Sequence, residues 1–174
     1  MRYGVVPQVA RFGIYDPLHD TAAGQFVHGA EVVVNSDRGP EIGQVLEVVR
    51  LSTTADENPV TGDVNRIATA ADISRHAENR RQCDLEFPDW MQRISDWQLD
   101  LQLIDVERTL DREQLVLYVL NGRDAETTRL ALLAAAAGLG IIHVQPVAAE
   151  GLLQKSGGGG CGSGGGCGSG GCGS

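Results

Sequence analysis

The sequence predicts an α+β protein in which a small β-rich lobe precedes an α-β-β-α-β unit. Three observations carry that prediction. Leu99–Gly122 places two apolar strands around a short charged turn, and an Ala-rich helix follows at once. The first fifty residues alternate strand-like segments with turn residues. Gly157–Ser174 holds only Gly, Ser and Cys, which cannot build a core, and reads as a disordered tail. The folding unit is therefore expected at residues 1–150. Its β-rich part covers about 1–51, its αββαβ part covers about 69–146, and residues 151–174 form the low-complexity tail.

In chain order, Val9–Tyr15, Ala30–Asn35 and Gln44–Leu51 read as strands. The dense turn signal Asn35-Ser36-Asp37-Arg38-Gly39-Pro40 separates the second from the third, with Gly39 free to take a positive φ. Tyr15-Asp16-Pro17 starts another turn. Ser52–Asn65 is polar, contains Asn58-Pro59 and Gly62, and reads as a loop. Thr69-Ala70-Ala71-Asp72 has the spacing of a capping box, in which the hydroxyl accepts from a free backbone N–H and the carboxylate favours the positive helix end. A helix is expected from about Ala70 to at least Glu86. A kink or break should follow at Pro88, which lacks an N–H and crowds the preceding turn. Asp89–Trp97 then resumes with Trp90, Ile94 and Trp97 on one face.

Leu99–Val106 and Leu115–Leu120 are the next strands. The second is apolar at every position, as a strand covered on both faces should be. Asp124 caps a helix with Leu130, Leu133, Ala134 and Ala137 on one stripe. Gly138 or Gly140 ends it, and Ile141–Val144 is the last strand. If Gln44–Leu51 joins this second sheet as a leading strand, the order becomes βαββαβ, the ferredoxin-like split βαβ arrangement with helices on one face.

Charge narrows the function classes. Acidic side chains outnumber basic ones 23 to 14, for a net charge of −9. A free-standing nucleic-acid binder shows the reverse balance, because neutralising phosphates supplies most of its affinity. Lys155 is the single lysine, so the positive charge is nearly all Arg. No apolar run approaches the roughly 20 residues that span a bilayer, and the first residues lack the pattern of a signal peptide. A cytoplasmic location is the expectation, and a reducing compartment suits Cys83, the lone thiol of the folding part.

Several residues could carry chemistry. Cys161, Cys167 and Cys172, at intervals of six and five, could ligate zinc or an iron–sulfur cluster. Three thiolates are one short of a closed site, the spacing lacks a CxxC pair, and a disordered tail weighs more on composition. His19 with Asp16 and Asp20 could hold a metal, but DPLHD reads more simply as a turn. Arg75, His76, Arg80 and Arg81 make a basic spot on the first helix, interrupted by Glu78, Asp84 and Glu86, so a solvated mixed face is the plainer reading. Asp105 continues the inward phase of Leu101 and Leu103, and a core-facing carboxylate needs a cation, for which Arg38, Arg66 and Arg80 are candidates. Trp90 and Trp97 share a helical face and read as core or interface anchors. No Gly-rich loop precedes a helix, and no Ser or Cys lies in a nucleophile context.

Several short motifs resemble the PSP-one C-terminal domain family, in its bacterial YaaT-like branch. They are Val32-Val33-Val34, Asp37-Arg38-Gly39 with Glu41, Gly43 and Val45, then Arg66, Ala68, Thr69 and Asp72. Glu78-Asn79-Arg80 follows, and then Leu99, Asp100, Leu103, Asp105, Val106 and Glu107. The family's helix is continuous where Pro88 falls here, and its compact Cys-rich ending is replaced by the Gly/Cys/Ser tail.

The resemblance implies a non-enzymatic cytoplasmic regulatory adaptor, working by contact with other protein subunits of a complex linked to RNA processing. The family-motif residues to watch are Arg38, Gly39, Glu41, Gly43, Arg66, Asp72, Asn79, Arg80, Asp105 and Glu107. It also implies that an iron–sulfur cluster could be held, so one rival reading is a metal or cluster carrier using the C-terminal cysteines. A weaker rival is an RNA-binding module, although the strands lack base-stacking aromatic pairs and direct nucleic-acid binding by the chain alone is disfavoured.

Overall fold

The computed structural model describes residues 1–4, 8–14, 26–49, 60–120, 122, 124–148 and 151–152. The DPLHD turn with Asp16, His19 and Asp20, and the tail cysteines Cys161, Cys167 and Cys172, lie outside the described residues. The architecture is α+β. A strand-rich N-terminal region is followed by two helices and a second sheet, in the expected α-β-β-α-β order.

The first sheet contains β1 (Arg2–Tyr3), β2 (Gln8–Val9), β3 (Arg11–Gly13), β4 (Glu31–Ser36), β5 (Gly39–Gln44) and β6 (Val60–Ile67), in the order β2-β1-β5-β4-β6-β3. β4 and β5 form a tight hairpin with Ser36 opposite Gly39, so Asp37 and Arg38 alone make the turn. Gly39 takes a φ of +123°, which a side chain would resist. Val32, Val34, Val45, Val64 and Phe26 form the core of this region.

Two expectations are corrected here. Pairing starts at Gly39 and stops at Gln44, so the third strand is Gly39–Gln44 and residues 45–49 carry no ladder. Val45 is nonetheless fully buried, held by its N–H to the Ala30 carbonyl at 2.9 Å. The stretch Ser52–Asn65 expected as a loop overlaps β6 from Val60 onward, and β6 pairs antiparallel with β4 and parallel with β3. Val64 is the one buried residue of β6, and the other seven positions supply almost no hydrophobic signal. Its ladder comes from tertiary pairing.

The second part begins with α1 (Ala70–Asp96), 27 residues unbroken through Pro88. The expected break does not occur. Proline loses its own N–H bond and crowds the preceding turn, but burial of Trp90 and Ile94 anchors the helix beyond it. The capping box is complete: Thr69 Oγ1 accepts from the Asp72 N–H, and the Asp72 carboxylate accepts from the Thr69 N–H. β7 (Gln102–Arg108), β8 (Gln114–Leu120), α2 (Asp124–Ala136), β9 (Ile141–Ala148) and β10 (Gly151–Leu152) complete the chain. Both Gly138 and Gly140 adopt positive φ after α2, as a helix stop requires.

The second sheet has the order β10-β9-β8-β7, with β8 parallel to β9 and antiparallel to β7. Among the described residues, none of 44–49 enters it as a leading strand; β8 and β9 are direct neighbours joined through α2, and the fourth described strand is β10. β8 is covered on both faces as expected. Leu115, Leu117 and Val119 join a core with Cys83, Trp90 and Ile94 of α1 and Leu130 and Ala134 of α2. Val116 and Tyr118 point to the opposite face beside Val147.

Candidate functional site

The polar residues singled out by the sequence converge on the seam between the two sheets. Leu110 donates its N–H to the Pro40 carbonyl at 2.8 Å, which sets the end of β7 against the β4–β5 hairpin. Gly39 lies against Thr109 in this seam, where a Cβ would make ordinary contact with Thr109 Cγ2 at 3.4 Å, so the positive φ and not crowding is what calls for glycine. From that hairpin Arg38 reaches across the seam. Its Nε donates to Glu41 Oε1 at 3.1 Å and its Nη2 to Glu41 Oε2 at 2.5 Å, a forked grip. Its Nη1 donates to the Tyr118 hydroxyl at 2.8 Å, and that hydroxyl donates to Glu107 Oε2 at 2.5 Å. Ser36 Oγ completes the cluster by donating to Glu41.

Arg38, Glu41, Glu107 and Tyr118 are all buried, so one guanidinium serves two carboxylates away from water. Burial pushes the Glu41 carboxyl up to about 7 against the pull of Arg38, and the neighbouring Glu107 charge pushes the same way. Burial and the Glu107 charge also raise the Tyr118 phenol far above its ordinary value, keeping it a neutral donor. Desolvation opposes the Arg38 charge, but Glu41, Tyr118 and Glu107 together overcome it and hold the guanidinium protonated. The void beside Glu107 holds about 10 Å³, room for at most one water.

Three further contacts extend the seam. Arg66, at the end of β6, grips the Asp72 carboxylate with both terminal nitrogens, tying strand to helix cap. Hydrogen bonds from Arg66 and Thr69 hold the Asp72 carboxyl far below the usual range. Buried Asn79 donates to the Thr109 carbonyl at 3.0 Å and accepts from Arg112 Nε at 2.7 Å, so its amide is used at both ends. Arg80 donates to Asp105 Oδ1 at 2.7 Å and pairs with Asp84 at 2.7 Å.

Of the three cations considered for Asp105, the partner is Arg80. Asp105 does not continue the inward phase of Leu101 and Leu103, because β7 bulges at Ile104. Leu103 and Val106 consequently fill the core, while Asp105 stays half-buried beside α1.

The structure therefore gathers Arg38, Gly39, Glu41 and Glu107 at one seam, and Arg66, Asp72, Asn79, Arg80 and Asp105 along its α1 side. Gly43 is buried in the ladder opposite Val32 and Tyr3. Tyr118 and Thr109 were not singled out by the sequence. The usable signal was a phenol inside an otherwise apolar run, since a buried hydroxyl needs a partner. Cys83 is buried among apolar side chains, and desolvation raises its thiol to about 11. No group of three or more metal-ligating side chains occurs among the described residues, and no described helix is long and apolar enough to cross a membrane.

Comparison with known proteins places these residues in context. Residues 62–124, from β6 to the start of α2, match the PSP1 C-terminal conserved region. Stage 0 sporulation protein YaaT of Bacillus subtilis (strain 168) is 32% identical over 94 residues, covering 52% of this chain and 33% of that protein. The chain thus spans about a third of the length of the curated relative it matches. No solved structure matches the chain.

Proposed function

We propose that this chain, which carries the PSP1 C-terminal conserved region, is a non-enzymatic regulatory adaptor. It would act by contact with other protein subunits of a cytoplasmic complex linked to RNA processing. The observation that carries this reading is where the signature residues spend their bonds. Arg38, Glu41, Arg66, Asp72, Asn79, Arg80, Asp105 and Glu107 all bond to other residues of the same chain, with Arg38 and Arg66 joining the first sheet to the second part. Side chains engaged in this way hold a shape, so recognition is left to the surface the shape presents. That surface includes apolar side chains on α1, with Leu85 74% and Met91 53% exposed. Similarity to a protein named for sporulation supports a regulatory role without specifying its partners.

The test is affinity capture of the full chain from its own cytoplasm, with RNA-processing activity measured on the captured complex. Leu85→Glu with Met91→Glu should lose the co-purifying subunits at an unchanged melting temperature. Cys161→Ser, Cys167→Ser and Cys172→Ser together should keep them. Loss of the subunits in the cysteine variant, together with loss of bound iron or zinc, would replace the adaptor with a metal or cluster carrier.

A further inference from the structure

The exposed face of α1 meets the β7–β8 turn in an open hollow of about 760 Å³, lined by Ser74, Arg75, Glu78, Arg81, Asp111 and Arg112 among others. This volume lies in the range of small-ligand sites. The charges in it are unevenly used. Asp111 is engaged within its own turn, where its carboxylate accepts from Thr109 Oγ1 at 2.6 Å and from the Glu113 N–H at 3.1 Å. Glu78 is taken by Arg112, whose Nη2 lies 3.1 Å from its carboxylate. Arg112 does this from a φ of +67°, a conformation that costs a non-glycine residue energy, and its Nε is fixed on Asn79. Arg75 and Arg81 are both exposed, and neither has a carboxylate or any other polar partner among the described residues.

Two unpaired guanidiniums in one hollow are unexpected in a chain with nine more acidic than basic groups. Outside the hollow, Arg66, Arg80 and Arg108 grip carboxylates, while Arg93 lies over the Trp90 ring and Arg129 donates to the Trp97 carbonyl. We propose that the hollow binds a small polyphosphate, a free or nucleoside-borne chain of two or more phosphoryl groups. Each free guanidinium fork matches the oxygens of one phosphoryl group, which is why two groups are specified. Ser74 adds a hydroxyl donor on the same helix face. A long nucleic acid is disfavoured, because the surrounding negative charge repels an extended polyanion and leaves only a local positive spot. The basic spot of the sequence thus divides: Arg80 is consumed in the fold and Arg75 and Arg81 are available.

The experiment is calorimetric titration of the full chain at low ionic strength with sodium pyrophosphate and, separately, ADP. One-site saturable binding of pyrophosphate is expected. Arg75→Gln and Arg81→Gln should each weaken it about tenfold, the scale of one charge-assisted hydrogen bond, at an unchanged melting temperature. Glu78→Gln should tighten it several-fold by removing the carboxylate between the two arginines, a gain that misfolding cannot produce. ADP bound more tightly than pyrophosphate would identify a nucleoside-borne ligand, and equal affinity a free polyphosphate. No saturable heat, equal binding in both arginine variants, or weaker binding in Glu78→Gln would each overturn the proposal. Preferential binding of a short single-stranded RNA, lost in the same arginine variants, would make this a nucleic-acid face and also overturn it.

Discussion

Arg38 shows how a residue in a turn can belong to the core. It occupies a two-residue hairpin turn, where arginines are normally solvated, yet its side chain is 6% exposed and all three guanidinium nitrogens have partners. Gly62 makes the same point for backbone. A Cβ there would lie 2.0 Å from the Asn35 carbonyl oxygen, far inside contact distance, so only glycine permits the β4–β6 pairing. Gly62→Ala should lower the melting temperature by many degrees, and an unchanged value would show that the two strands do not approach so closely. Asp72 and Asp105 were legible in the sequence, because a carboxylate at a helix start and one in an apolar strand each require a partner. The partner of Asp105 followed only once the bulge at Ile104 was known, since a one-residue slip changes which face a side chain takes. Gly62 reads in sequence as loop punctuation, and nothing local distinguishes that from a close approach of two strands.

Among the elements, those with strong periodicity or continuous apolarity were legible, and those defined by their partners were not. α1 shows its start in the Thr69–Asp72 box, but Pro88 misleads because one lost hydrogen bond is outweighed by the burial of Trp90 and Ile94 beyond it. β6 is mostly exposed and is a strand only because β4 and β3 lie on either side of it. β8 is the opposite case, with five consecutive buried residues from Leu115 to Val119. Leu117 is fully buried between two helices and the sheet, so Leu117→Ala should cost about 2–5 kcal/mol in urea unfolding. A loss indistinguishable from zero would mean that the core on that face collapses around the cavity or that the strand lies elsewhere.

Across the whole molecule, the seam decides how the two sheets behave together. Glu41 is raised to about 7 by burial, above its ordinary 4.5, so the folded protein binds a proton that the unfolded chain releases. Stability should therefore fall as pH rises between about 4.5 and 7, and Glu41→Gln should flatten that slope. A flat wild-type profile over the window would show that Glu41 stays ionised in the fold. Asp72 acts in the other direction, since its carboxyl is held low. Its contribution is present above the ordinary aspartate range and disappears only in strong acid, outside the Glu41 window.

The central claim is that Arg38, through Glu41 and Tyr118, welds the hairpin of the first sheet to the second sheet. It is tested most directly by the urea midpoint of Arg38→Met, measured with hydrogen exchange at β4 and β8. Methionine keeps much of the bulk but leaves Glu41 and Glu107 without their shared cation. The account expects a loss of about 3–5 kcal/mol, with exchange protection falling first in β4 and β5. An unchanged midpoint with unchanged protection would contradict it, and would assign Arg38 to a ligand or partner instead of to the fold.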